Sequence, residues 1–203
     1  MGFIVFEEEA FNYLDAQLEN FVKRMDRIRE RSEDKTMNKG LVEDEETETW
    51  LGRDRTPYAL DSRSDVKVLL AEPSYLDEIA QLHQQAFSDA EETLEASRRY
   101  ITEALKDSDG LLYILLKEAQ VIGVCTVDLS GNNNYLYGLA VAEAYRGQCY
   151  GSYLAKSVVN QLIAQNDKSF QIAVEDSNIG AKRLYEKIGF VKQTQVVYLK
   201  QKE

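Results

Sequence analysis

The sequence predicts a mixed α/β (α+β) domain, a central sheet flanked by helices, carrying an N-terminal helical extension. Three observations carry that prediction. Residues 111–141 read as three strands separated by turns at Glu118–Gln120 and Ser130–Asn134, which is the pattern of an antiparallel meander. From there, helix 151–165, strand 169–174, helix 178–188 and strand 190–199 alternate, as they do in α/β folds with parallel neighbours. Between the halves lies Tyr135–Leu154, an apolar strand, a glycine-containing turn and a helix opening at Gly151–Ser152.

That junction has the makings of an anion cradle. A helix start leaves its first backbone N–H groups without internal partners, and the macrodipole adds about half a positive charge there. Gly147 and Gly151 can adopt φ > 0 and admit a ligand close to the backbone, and Arg146 brings a fixed cation to the same place.

Composition narrows the function classes. With 44% hydrophobic residues in 203, the chain can bury a sizeable core. No run approaches the roughly 18 apolar residues of a membrane span, and the N-terminal Met1–Glu7 turns acidic too soon for a secretory signal. Two cysteines, Cys125 and Cys149, make no disulfide framework, so a reducing cytoplasm is the expected location. No metal cluster is expected, and the one histidine, His83, is read as a surface or packing residue of an amphipathic helix. A net charge of −11 argues against nucleic acid and favours a cationic partner.

In chain order, Phe11, Leu14, Leu18, Phe21, Met25 and Ile28 recur at spacings of three and four, so residues 1–31 form an amphipathic helical extension. It can lie along the body of the protein or pair with a second copy as a homodimer. Residues 32–65, rich in acids at Glu43–Glu48 and anchored by Trp50, Leu51, Tyr58 and Leu60, read as a partly ordered linker. The main domain, 66–203, opens with strand Val66–Leu70 and a helix capped by Ser74, with Asp77 three residues on. A second helix spans about 91–106. In the last helix Asn178 can cap the start, Ala181, Leu184, Tyr185 and Ile188 form one face, and Gly189 can close the end. Tyr185 therefore points inward.

Residues 66–199 resemble the GCN5-related N-acetyltransferase (GNAT) superfamily in three blocks taken in order. Val66–Phe87 resembles its first strand and helix. Leu139–Ser152 is similar to its acetyl-CoA block, an Arg or Gln followed by x-x-Gly-x-Gly, and Val174–Phe190 is close to a later block ending Leu-Tyr-Glu-Lys-x-Gly-Phe. The resemblance implies a splayed sheet whose strand end, Leu139, Ala140 and Val141, pairs with the pantetheine arm of acetyl-CoA. It implies that Arg146, Gly147, Gln148, Cys149, Tyr150, Gly151 and Ser152 hold the pyrophosphate, that Asn178 and Ala181 flank the arm, and that Tyr185 lies beside the thioester sulfur. Attack by a primary amine then requires loss of its proton, a donor for the oxyanion and a proton for the departing thiolate. Tyr185 is the candidate acid, and Glu175, Asp176, Asp128 or a water chain the candidate base, with Glu175 placed first.

The expected activity is transfer of an acetyl group to a small cationic amine, met by Phe87, Ser88, Asp89, Glu91 and Glu92. The alternatives are a protein N-terminus or lysine as acceptor, or acyl-CoA binding without catalysis. Three departures from the family pattern are informative. Tyr135 stands four residues before Leu139, where some members of the family carry a glutamate base. Cys149 stands where the motif has its first Gly, which predicts either a right-handed conformation there or a distorted cradle. After Phe190 only one strand follows where the family commonly has two, so Phe3–Phe6 or Trp50–Leu60, of the same or a neighbouring subunit, is expected to cover the open sheet edge.

Overall fold

A computed structural model describes residues 41–87 and 93–201. The helix expected near the N-terminus and the Phe3–Phe6 segment lie outside them. Seven strands form one sheet: β1 (Leu41–Arg53), β2 (Val66–Leu70), β3 (Gly110–Lys117), β4 (Gln120–Asp128), β5 (Asn133–Val141), β6 (Ser169–Glu175) and β7 (Val191–Gln201), in the spatial order β2-β3-β4-β5-β6-β1-β7. Among the described residues four helices flank it: α1 (Leu76–Phe87), α2 (Leu94–Ala104), α3 (Tyr150–Ile163) and α4 (Ile179–Lys187).

The two faces hold separate cores. On one, α1 and α2 bury Ile79, Ala80, Leu82 and Ile101 against Leu112, Ile114, Val124 and Ala140. His83 is buried there as well, its Nδ1 3.4 Å from Ser97 Oγ and its ring against Phe87 and Tyr100, so it is a packing residue. The other face takes α3 and α4, with Leu154, Val158, Leu162 and Tyr185 over Leu51, Leu136, Phe170 and Ile172. Strand β4 can be apolar almost throughout because both of its faces are covered. The expected cap at Ser74 is corrected: a single 3₁₀ turn, Pro73–Tyr75, opens on Glu72 without a side-chain cap and leads into α1.

The acidic stretch read as a linker is corrected at its centre. Residues 41–53 form a strand inside the sheet, antiparallel to β6 on one side and β7 on the other. The expectation of parallel neighbours throughout the second half fails for the same reason: only β5 and β6 pair in parallel, because β1 runs between β6 and β7. Trp50–Arg53 thus does more than cover an edge. Acidic residues are poor strand formers, which hides the strand in sequence, but a ladder on both sides satisfies the backbone regardless of propensity. Its inward side chains fit: Thr49 and Leu51 are fully buried.

A polar clasp locks β1 in register. Asp176, just past β6, accepts from Thr47 Oγ1 (2.6 Å), Thr49 Oγ1 (2.5 Å), Lys182 Nζ of α4 (2.7 Å) and Gln195 Nε2 of β7 (2.6 Å), and its own N–H donates to Thr47 O. Burial alone would raise the Asp176 pKa. The hydrogen bonds from Lys182, Thr47, Thr49 and Gln195 outweigh it and hold the carboxyl well below its usual range. Residues 54–65 then cross α3, where Tyr58 exchanges two backbone hydrogen bonds with the Asn160 amide and its hydroxyl donates to Ile188 O.

Deleting residues 1–53 is therefore expected to leave β7 without a partner and one edge of β6 open, and to give aggregated protein by size-exclusion chromatography. Asp176→Asn is expected to lower stability by about 2 kcal/mol at pH 7 in urea titrations. Since the folded pKa is depressed, that contribution is present above the unfolded carboxyl value of about 3.9 and fades as the pH falls below it, so the two proteins converge in acid.

Candidate functional site

The sheet opens in its middle. Strands β5 and β6 pair only from Asn133–Leu136 to Ser169–Ile172 and then part, so the second half of β5 is laddered to β4 alone. A bulge accompanies the parting: Val124 opposes Ala140 and Thr126 opposes Tyr137, leaving Gly138 and Leu139 opposite the single Cys125. Gly138 takes φ +58°, the left-handed conformation such a bulge needs. The backbone edge freed on β5 faces a groove of about 620 Å³.

Each wall of the groove comes from a different element. Leu139, Ala140 and Val141 line it from β5; Arg146, Gly147 and Cys149 from the turn; Tyr150, Gly151 and Ser152 from the start of α3; Asn178, Ala181 and Tyr185 from α4. Twelve of the residues singled out from sequence are thus brought together. Two are not. Gln148 turns its amide back to donate to Ala144 O at 3.1 Å, and Glu175 is exposed beyond the groove, accepting from Ser177 Oγ. Residues 88–92 lie outside the described residues, while Phe87 lines the groove from the end of α1.

The turn is set by two residues in the left-handed region. Gly147 has φ +75° and a Cβ there would meet nothing within 4 Å, so conformation and not space selects glycine. Cys149 has φ +64° and ψ +10° and sits at the N-cap of α3 without a side-chain cap. The right-handed alternative is overturned: the cradle keeps the backbone a glycine would take, at a steric cost of about 1–2 kcal/mol. Gly151 sits at a close approach instead: a Cβ there would come within 3.1 Å of Leu184 Cδ1, where α3 meets α4, and the leucine would have to shift by a few tenths of an ångström. Arg146 ties the turn to the strand, its Nε donating to Val141 O at 3.0 Å, and Arg63 donates to Gln148 O while lying over the Tyr150 ring at 4.6 Å.

Charge in the groove runs against that of the chain as a whole. Arg146, Arg183 and Lys187 line it, and no acidic side chain is among its described lining residues. In a protein of net charge −11 this marks a place for an anion. Arg183 and Lys187 were missed from sequence; their spacing of four on α4, on the helix that carries Leu184 and Tyr185, was the available signal.

Asn178 caps α4 as expected, its Oδ1 accepting from Ala181 N at 3.1 Å, which leaves its amide NH₂ for other partners. Gly189, φ +90°, closes the helix. Tyr185 is 6% exposed and packs edge-on against Phe190. Burial, with a smaller contribution from the neighbouring Cys125 thiol, raises its pKa above the ordinary phenol value, so it stays protonated at any physiological pH. Cys125 itself is fully buried, its thiol pushed up to about 12, and is inert.

The other candidate bases differ sharply. Asp176 is committed to the clasp described above. Asp128 is 5% exposed; burial raises its pKa, the Ser130 N–H and hydroxyl oppose that, and Asp107 and Asp109 add to it. Among the described residues no group of three or more His, Cys, Asp or Glu could hold a metal ion, and no helix is long and apolar enough to cross a membrane.

Residues 76–190 match the acetyltransferase (GNAT) family, and the chain belongs to it. It is 29% identical over 89 residues to the [ribosomal protein bS18]-alanine N-acetyltransferase of Haemophilus ducreyi, a match spanning 42% of this chain and 61% of that one. Among solved structures it is similar to a GCN5-related N-acetyltransferase from Sphaerobacter thermophilus, with TM-score 0.65, 16% identity and coverage of 87% of this chain and 56% of that one. The ribosomal-protein-S18-alanine N-acetyltransferase of Escherichia coli gives TM-score 0.56, 16% identity and coverage of 67% and 93%. At these identities the structural likeness concerns the fold.

Cys149→Gly is expected to raise stability by about 0.5–1 kcal/mol in urea titrations, the relief of a strained φ less the entropy a glycine adds to the unfolded chain.

Proposed function

We propose that the protein transfers an acetyl group from acetyl-CoA to a primary amine, a small cationic molecule, by direct attack with both substrates bound. The observation that carries this reading is the groove itself, a freed backbone edge on β5 ending in a cationic helix start, in a chain that belongs to the acetyltransferase family. The peptide-like pantetheine arm matches a strand edge with unpaired N–H and C=O groups. The phosphates match the α3 N-terminus, Gly147 and the three cations. Arg183 and Lys187 join the set as phosphate ligands.

Acetyl-CoA supplies an activated thioester; the protein's residues supply placement and protons. Holding amine and thioester in register accounts for most of the acceleration. An N–H on the freed edge around Leu139–Val141 is available to an oxyanion, and the Tyr185 hydroxyl, kept protonated by burial, donates to the departing sulfur. Glu175 lies outside the groove lining, so the base is assigned to Asp128 or to water. A second reading, acetylation of a protein N-terminus, is favoured by the named activity of the Haemophilus ducreyi relative.

Acetyl-CoA is expected to raise the melting temperature, and a panel of amines to identify the acceptor through release of free CoA thiol. Arg146→Ala is expected to weaken acetyl-CoA binding about tenfold, and absence of any thermal response to acetyl-CoA in the unaltered protein would overturn the reading. Tyr185→Phe is expected to lower kcat about 100-fold with acetyl-CoA affinity nearly unchanged, and equal loss of both would remove Tyr185 from the acid role.

A further inference from the structure

The turn before α3 is held by more than its own backbone. Gly147 and Cys149 both lie in the left-handed region, and a non-glycine residue stays there only where the surrounding structure fixes it. Gln148, between them, is tied at both ends: its side-chain amide donates to Ala144 O at 3.1 Å, and its carbonyl accepts from Arg63 Nη2 at 3.1 Å. The Arg63 guanidinium also lies over the two tyrosines of the first turn of α3, 4.6 Å from the ring centre of Tyr150 and 5.7 Å from that of Tyr153.

A second anchor takes Tyr150, the first residue of α3. Its ring lies edge-on to Tyr145, with centroids 6.1 Å apart. Its hydroxyl closes a triangle: Lys117 Nζ donates to it at 2.7 Å, it donates to Asp65 Oδ2 at 3.1 Å, and Lys117 Nζ donates to the same Asp65 oxygen at 2.8 Å. The sheet sets the base of the triangle, because Val66 of β2 is paired with Lys117 of β3 and brings Asp65 beside it. Tyr150 is 4% exposed, so its hydroxyl relies on these two partners in place of water.

Arg63, Asp65 and Lys117 lie outside the groove lining, whereas Gly147, Cys149 and Tyr150 belong to it. Any influence of the three on a bound ligand therefore runs through Gln148 and Tyr150. The side chains of the Lys117–Asp65 pair are 25% and 48% exposed, and an ion pair of that kind adds little to global stability. Its effect is local. It fixes where the first backbone N–H groups of α3 point, and donors set in place beforehand bind an anion without an ordering cost.

We propose that Arg63, Asp65 and Lys117 are positioning residues for the donor: acting through Gln148 and Tyr150, they hold the turn and the start of α3 in the shape that receives the phosphates of acetyl-CoA. The claim rests on the reading of the groove as an acetyl-CoA site. It gives a task to the segment that leads from β1 across α3, since Arg63 and Asp65 stand at its end, and it accounts for Cys149 keeping the backbone of a glycine.

Asp65→Ala separates positioning from charge. It removes an anion from beside the turn assigned to the phosphates, so electrostatics alone would tighten acetyl-CoA, whereas a loosened α3 start weakens it. In calorimetric titrations of the full-length protein, the variant is expected to bind acetyl-CoA about tenfold more weakly and S-acetylpantetheine, which lacks the phosphates and the nucleotide, about equally well. Amide hydrogen exchange without ligand is expected to accelerate about fivefold over residues 147–153 and to stay unchanged in β3 and β4. Unchanged or tighter acetyl-CoA binding by the variant, equal loss for both ligands, or unaltered exchange in the turn would overturn the proposal. Should Asp65→Ala fail to fold, Tyr150→Phe, which deletes only the hydroxyl at the apex of the triangle, decides on the same two ligands. The two readings fail separately: an unaltered protein indifferent to acetyl-CoA would sink the transferase reading and the donor role with it, while full acetyl-CoA binding by both the unaltered protein and Asp65→Ala would sink the positioning alone.

Discussion

The parting of β5 from β6 is the constraint on which the rest of this structure depends. A sheet interrupted in its middle exposes backbone N–H and C=O groups that a continuous ladder would satisfy, and such groups are costly when buried. Here the gap is tolerated because each flank is stiff without the other. On one side β5 is laddered to β4 through the Gly138 bulge; on the other β6 is laddered to β1, and β1 to β7. The helices α3 and α4 pack on one face in a core that takes in both flanks. The open edge that results is the one place where an extended, peptide-like molecule can add to the sheet.

Electrostatics then divides the opening by face. The groove near α3 and α4 gathers Arg146, Arg183 and Lys187 with a helix start, although the chain is strongly acidic. The opposite face carries the buried Asp128 and the stacked rings of Trp50, Tyr135 and Tyr137. The Asp176 clasp has a part in this geometry, since it fixes the register that sets Trp50 beside Tyr135.

Much of the site was legible in the sequence because its parts are local. The Arg146–Ser152 turn and the Asn178–Gly189 helix each carry their backbone requirements within a few residues: glycine where φ is positive, a cap where the helix starts, an inward Tyr185 at helical spacing. Cys149 is the exception that shows the rule's limit. Its left-handed φ is imposed by the turn between Gly147 and α3, and surrounding structure can hold a non-glycine residue there when the strain is about 1–2 kcal/mol.

What the sequence determined by itself was the identity and order of the elements from Val66 onward, the Arg146–Ser152 turn and the orientation of Tyr185, all encoded by hydrophobic period, capping and glycine placement. Only the tertiary structure decided that Leu41–Arg53 is a strand, that it lies between β6 and β7, that Glu175 is left outside while Arg183 and Lys187 come in, and that Trp50 reaches Tyr135. Each of those facts depends on pairing between residues more than a hundred positions apart or on which face of an element meets a distant neighbour. Local propensity does not encode such pairing, and in the acidic β1 it argues for the opposite.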